Sequence, residues 1–253
     1  MLLIWGKKYS YKKLGYVADF CPICREPRAF RLRRTNLVPH FWYIPTGFGE
    51  FVCNERQCLD CGVDFNGDPA RYAALSKKSG SFGQLKKLTF PTFDEAQRGR
   101  LDVEKAIRND PASIAPRDRQ LLIRQPLELL SPRVENRTRN LQMDRDVGLT
   151  FVGAWLVVWA GMALASRFLP EDVDVVTLTL LAMAVVAVVV QLALVKRRFM
   201  RRNITPLLVR CLAPLKPRRQ EIEAAVADMK AARHKIAKLN IDHLMQRLAA
   251  ARG

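Results

Sequence analysis

Two stretches of this chain contain no ionisable residue. Residues 147–166 and 175–195 run for 20 and 21 positions without Asp, Glu, Lys, Arg or His. At about 1.5 Å per residue, each covers roughly 30 Å as a helix, the thickness of a bilayer's hydrocarbon core. Leu and Val fill thirteen of the 21 positions in the second run, and Thr177, Thr179 and Gln191 are its polar interruptions. The first run is diluted by Gly148, Gly153 and Gly161, and Gly161 with Ala165 makes a small-xxx-small pair suited to close helix approach. Only residues 167–174 separate the runs. The pattern predicts a two-helix transmembrane hairpin, against the alternative of a helical pair inside a soluble core. With no ionisable group inside either span, a proton or ion pathway through the hairpin is not expected.

Enzyme signatures are also missing. The chain has no phosphate-binding loop, no nucleophile elbow and no HExxH, and Gly47-Phe48-Gly49 is too short for a dinucleotide fingerprint. Of the three histidines, His234 and His243 fall in an amphipathic tail and are expected at the surface. No enzymatic activity is expected beyond an accessory role to chemistry located elsewhere. A cleavable leader is not evident either, since the apolar residues Met1–Trp5 precede Lys7 and Lys8, the reverse of the usual order.

Acidic residues are scarce: 24 against 42 Lys and Arg, a formal charge of +18. The excess is uneven. Residues 1–146 carry 26 basic and 17 acidic groups (net +9), residues 147–196 two and three (net −1), and residues 197–253 fourteen and four (net +10). Arg133, Arg137, Arg139 and Arg145 precede the first span. Lys196, Arg197, Arg198, Arg201, Arg202 and Arg210 follow the second, and the connecting loop carries Arg167 against Glu171, Asp172 and Asp174. The positive-inside rule therefore predicts both termini in the cytoplasm, at the plasma membrane if the chain is bacterial, with a short acidic loop outside. Much of the basic excess is then accounted for by topology and an anionic leaflet, and it does not by itself demand a nucleic-acid partner.

Six cysteines remain, in what is expected to be a reducing compartment: Cys21, Cys24, Cys53, Cys58, Cys61 and Cys211. Cys21-Pro22-Ile23-Cys24 and Cys58-Leu59-Asp60-Cys61-Gly62 are two CxxC knuckles with 33 residues between them. Such knuckles can present four thiolates in the tetrahedron that Zn²⁺ prefers, and a closed Cys₄ set is structural rather than catalytic. A redox CxxC belongs at a helix start in a βαβ context, which is not found here. Cys53, in the local Cys53-x4-Cys58-x2-Cys61 cluster, is expected as a buried thiol or spare ligand and His40, beside a strand, as structural, with ligation the alternative for each. Cys211, among Leu and Val residues, reads as an apolar packing residue.

Between the knuckles the sequence reads as β structure. Residues 29–34 alternate apolar and basic, Phe41-Trp42-Tyr43-Ile44 is an aromatic strand, Pro45-Thr46-Gly47-Phe48-Gly49 a turn, and Glu50-Phe51-Val52 leads back to the second knuckle. Aromatic residues near Arg28, Arg31, Arg33 and Arg34 suit either a base-stacking platform or, the favoured reading, the core of a domain too small to fold without metal.

Ile4-Trp5-Gly6, the Cys-Pro-x-Cys knuckle, Phe41-x-x-Ile44-Pro45 and Cys58-x-x-Cys61-Gly62 occur in this order, and over residues 1–66, about a quarter of the chain, it resembles a family of small zinc-ribbon proteins. The resemblance implies Cys21, Cys24, Cys58 and Cys61 as zinc ligands and no catalytic activity. The chain departs from the pattern at Arg25, where a glycine often follows the first knuckle, and in the extra Cys53.

Beyond the ribbon, residues 76–83 (SKKSGSFG) read as a flexible joint. Thr92-Phe93-Asp94-Glu95 matches a capping box opening a helix that ends near Asn109, before Asp110-Pro111. Pro116, Pro126 and Pro132 are expected to cut the next stretch into short helical pieces. In the tail, Ile222, Val226, Met229 and Ile236 recur at helical spacing, and Asn240 or Asp242 can cap a last helix. The expected fold is a small β zinc ribbon joined to a mainly α membrane protein: a zinc ribbon over 1–75, a basic connector with short helices over 76–146, a transmembrane hairpin over 147–196 and a basic amphipathic helical tail over 197–253. Structural Zn²⁺ is the expected cofactor. The expected partners are the lipid bilayer and a protein at the cytoplasmic face, which makes the chain an interaction or scaffold module. The alternative is a membrane-tethered nucleic-acid binder.

Overall fold

The computed structural model of the chain describes residues 5–41, 44–47, 49–139, 145–168 and 173–251. Trp42 and Tyr43 of the expected aromatic strand, Phe48 of the turn, and Glu171 and Asp172 of the acidic loop lie outside the described residues.

Strands β1 (Trp5–Cys21) and β2 (Glu26–Phe41) form a long antiparallel hairpin whose turn is the first cysteine knuckle, with Cys21 opposite Glu26. The short β3 (Ile44–Pro45) folds back on the end of β2. Strand β4 (Glu50–Cys58) then runs along β2 into the second knuckle, and β5 (Asp64–Asn66) returns beside it. The spatial order is β1-β2-β4-β5, with every pairing antiparallel. Alternation along β2 buries Phe30 and Leu32 completely beside Val17, Phe20, Ile23 and Phe65, and the Phe30 and Phe65 rings meet edge to face at 6.2 Å. The same alternation sends Arg31 and Arg33 to one face of the strand and Arg28 to the other. Arg33 is committed to Glu55 (2.8 Å) and Asp64 (3.1 Å), and Arg28 to Glu26 and Asp60. These arginines therefore do not share one open platform.

The joint after the ribbon is pinned at both ends. Ser76 pairs through its backbone with Tyr16 (2.7 and 3.1 Å), and the Ser81 hydroxyl caps helix α1 (Phe82–Thr89). Thr92 does not cap with its side chain. Only the single turn α2 (Phe93–Ala96) follows it, and Gln97 breaks the run before α3 (Arg98–Asn109). The expected end of that helix agrees with the structure; the expected continuous start does not.

The proline-rich stretch is one helix, α4 (Pro116–Arg139), rather than short pieces. Pro116 occupies its first position, where no intrahelical N–H is needed. Pro126 and Pro132 each remove an internal bond at a cost of about 3 kcal/mol, but Ile123, Leu127, Leu130 and Val134 make a continuous buried stripe. At about 1.5–3 kcal/mol for each fully buried side chain, that stripe outweighs the two prolines.

Helices α5 (Arg145–Phe168) and α6 (Val173–Phe199) form an antiparallel hairpin, and both are long and apolar enough to cross a membrane. A Cβ on Gly161 would collide with Leu180 Cδ1, so the small-xxx-small site is where the helices approach closely; Ala165, one turn on, is buried. At the other end of the hairpin Asp146 pairs with Arg198 (3.5 Å) and Arg202 (3.0 Å). Both connections to the rest of the chain therefore leave from the same end.

The second apolar helix does not stop where its charges begin. A π-helical turn, Met200–Ile204, carries it into α7 (Thr205–Leu212). Pro206 explains the turn: its ring excludes the carbonyl four residues back, and the Thr205 N–H reaches Met200 instead. After α7 come α8 (Arg219–Ala231) and α9 (Ile241–Ala250), the latter capped by Asn240. The two short helices expected in the tail are α8 and α9, but Ile236 lies in a separate 3₁₀ turn between them. One hydrophobic core joins Phe30 of the ribbon, Ile107 of α3, Leu127 of α4, Leu208 of α7, Ile222 of α8 and Leu248 of α9. His234 is half-buried, bonded to Glu135 (2.8 Å) and Ser131 (2.9 Å) rather than simply solvated.

Candidate metal centre

The two hairpin tips place Cys21, Cys24, Cys58 and Cys61 together, with all four sulfurs within 4.8 Å of one another. The Cys21 and Cys61 sulfurs are 3.6 Å apart and those of Cys24 and Cys58 3.9 Å. A tetrahedron with metal–sulfur bonds of about 2.3 Å has edges of about 3.8 Å, so these spacings fit a single central ion. They are far too long for disulfides, whose sulfurs lie about 2.05 Å apart. Neither Cys53 nor His40 belongs to the cluster: the Cys53 sulfur faces Glu55 at 3.8 Å, on β4.

Local backbone chemistry shapes both knuckles alike. The Cys24 N–H points at the Cys21 sulfur (3.4 Å), and the Cys58 N–H bonds to the Val63 carbonyl (3.0 Å). The residue after each second cysteine is left-handed, Gly62 at φ +67° and Arg25 at φ +56°. Glycine takes this conformation freely, whereas arginine does not. The sequence departure at Arg25 thus preserves the knuckle's geometry.

Contact among the four thiols shifts them in opposite directions. Contact with Cys24, Cys58 and Cys61, together with burial, pushes the Cys21 thiol well above its ordinary range. Contact with Cys21, Cys24 and Cys61 pulls Cys58 well below it. A divalent ion held by the four sulfurs would favour the thiolate form of each.

A surrounding layer ties the cluster to the helices, and none of it was visible in the spacing. Arg25, 5% exposed, donates to Glu104 of α3 (2.8 Å) and to the Cys211 carbonyl of α7 (3.4 Å). The Cys211 thiol, pushed up to about 11 by burial, donates to the Pro22 carbonyl inside the first knuckle (3.3 Å). It is a packing residue with a directed bond. Asp60 of the second knuckle accepts from Arg210 (2.5 Å) and pairs with Arg28 (3.2 Å), and the Arg210 bond holds its carboxyl below the usual range. Both knuckles are therefore clasped by α7. Arg25–Glu104 and Asp60–Arg210 span 79 and 150 residues, and no local pattern announces either pair.

Compared with protein-family models, with curated proteins and with solved structures, the chain matches none.

Proposed function

We propose that the chain is a membrane-anchored zinc-ribbon protein whose body acts as a cytoplasmic protein-interaction or scaffold module. The observation that carries this reading is the four-thiol cluster at the joint between the ribbon and the continuation of the apolar hairpin. Four sulfurs complete a tetrahedral sphere, leaving no position for substrate or water, so the metal's task is to hold the fold. Zinc fits this donor set best, with iron the other metal that favours four thiolates. The motif resemblance over residues 1–66 points the same way.

Exposure supports the anchor. Helix α6 buries none of its residues, and Trp155, Trp159, Leu178 and Val186 stand open around the hairpin. A core helix of a soluble protein would be covered, and a lipid phase covers this surface instead. The basic flanks, including Arg198, Arg201 and Arg202, support a cytoplasmic body by the positive-inside rule.

While others such as Leu88 and Leu121 are scattered, five exposed apolar residues of the body, Tyr9, Tyr11, Ile44, Phe51 and Val52, lie on the ribbon's far arm. They support a protein partner more than a nucleic acid, because Arg28 and Arg33 are already paired internally.

Metal analysis of the purified full chain tests the centre. About one zinc per chain is expected, kept in Cys53→Ser and lost with fold in Cys21→Ser and Cys58→Ser. Zinc and fold retained in both of the latter would refute it. Cross-linking in membranes with Tyr11→Ser and Phe51→Ser variants tests the arm, and salt-steep binding of the wild type to RNA or DNA would favour the nucleic-acid role instead.

A further inference from the structure

Between the body and the base of the hairpin lies an open cleft of about 1230 Å³. The face of the ribbon bearing Tyr9, Tyr11 and Arg33 forms one wall, the second half of α4 another, and the turn from α6 to α7 the third. Eight arginines line the cleft against four carboxylates, Asp19, Glu55, Asp64 and Glu128.

The charges are balanced at one end and not at the other. At the ribbon end Arg56 pairs with the fully buried Asp19, and Arg33 with Glu55 and Asp64. Glu128 is engaged by Arg124 (2.7 Å). The hairpin end carries Arg133 and Arg137, one turn apart on α4, facing Arg198 and Arg202, one turn apart on α6 and its π turn. The Arg137 guanidinium lies over the Phe199 ring at 5.7 Å, which brings the two helices together. Asp146 serves both Arg198 and Arg202, and Arg133 donates to the Gly62 carbonyl (3.4 Å) and acts on the Asp64 carboxyl. Arginines outnumber carboxylates two to one in the lining of the cleft, and four of the eight gather at this end.

Their depth is informative. Counted from Val195, the last residue of the apolar run, Arg198 and Arg202 lie about 5 and 10 Å further along the helix, within the headgroup layer of a bilayer that α6 crosses. Arginine forks pair two N–H groups with the oxygens of one phosphate, a geometry an ammonium does not offer.

We propose that this cleft binds the phosphate-bearing headgroup of an anionic phospholipid, held by Arg133, Arg137 and Arg202, with the acyl chains lying along the exposed apolar surface of the hairpin. The proposal rests on the membrane-spanning reading above. A lipid bound there bridges α4 to the base of α6 and seats the body on the bilayer.

The test uses the full chain reconstituted in phosphatidylcholine nanodiscs, with or without phosphatidylglycerol, and counts retained lipid by native mass spectrometry. The Arg133→Gln/Arg202→Gln variant removes two exposed cleft charges. Lys230→Gln/Arg247→Gln removes the same charge from the exposed faces of α8 and α9, and metal content checks that both fold. Wild type and control are expected to retain phosphatidylglycerol, and the cleft variant to hold it about tenfold or more weakly. Phosphatidylglycerol held no better than phosphatidylcholine, or lost equally from both variants, would overturn the proposal. So would inorganic phosphate, added to phosphatidylcholine discs, binding at the same arginines as tightly as phosphatidylglycerol does. Release of the chain from membranes by alkaline carbonate without detergent would overturn the membrane reading and the lipid site together, an outcome distinct from an integral protein without lipid preference.

Discussion

Arg25 combines two costs that usually appear apart: a left-handed backbone at φ +56° and a charge that is 5% exposed. The first costs on the order of 1–2 kcal/mol for a residue with a Cβ, and the second is tolerable only beside a partner. Glu104, itself buried, supplies that partner at 2.8 Å. Removing one member strands the other, so Arg25→Met and Glu104→Leu are each expected to cost about 3–5 kcal/mol, and the double variant clearly less than their sum. Unfolding of the detergent-solubilised chain, followed by circular dichroism, gives the coupling. Strictly additive losses would mean that the pair is incidental. Sequence reading singled out Arg25 only as a departure from a motif. Glu104 had no distinguishing mark, because a residue 79 positions away acquires its role through packing alone.

Among the elements, the helical hairpin was the most legible, since two uncharged runs of about 20 residues mark the length and apolar character of its helices in one pattern. The knuckles were legible for a similar reason: the two-residue gap fixes how paired thiols are presented. Helix α4 was not, because the penalty of Pro126 and Pro132 is local, while the Ile123–Val134 stripe that outweighs it acts only through tertiary burial. The continuation of α6 into α7 was hidden in the same way, with Pro206 producing a π turn rather than a stop. The hairpin's own packing turns on Gly161, where any Cβ meets Leu180. Gly161→Leu is expected to push α5 and α6 apart and to cost about 1–3 kcal/mol of hairpin stability. Spin labels on the two helices report the change as a widened distance distribution in lipid; an unchanged distribution would show that the contact does not set the packing.

At the scale of the whole molecule, the four-thiol cluster and the apolar hairpin meet at α7. This helix is the outward end of a 43-residue helical run that begins at Val173, and it holds both knuckles, through Arg210 to Asp60 and through Cys211 to Pro22. The ribbon and the helices share one core rather than two, so the knuckles cannot loosen without disturbing residues on α3, α4 and α7 to α9. On the proposed reading, the ion supplies a large part of the body's folding free energy, roughly 10–16 kcal/mol for isolated zinc modules. On the same reading the spans draw their stability from lipid and from their own backbone bonds instead. Chelation of the reconstituted chain should therefore separate the two halves energetically. Amide exchange is expected to rise together across β1–β5, α3, α4 and α7–α9, while residues 147–168 and 173–195 stay protected. Exchange confined to the knuckle loops would show that the ion staples only the ribbon tips. Loss of protection in the spans as well would show that the hairpin depends on the body for its insertion.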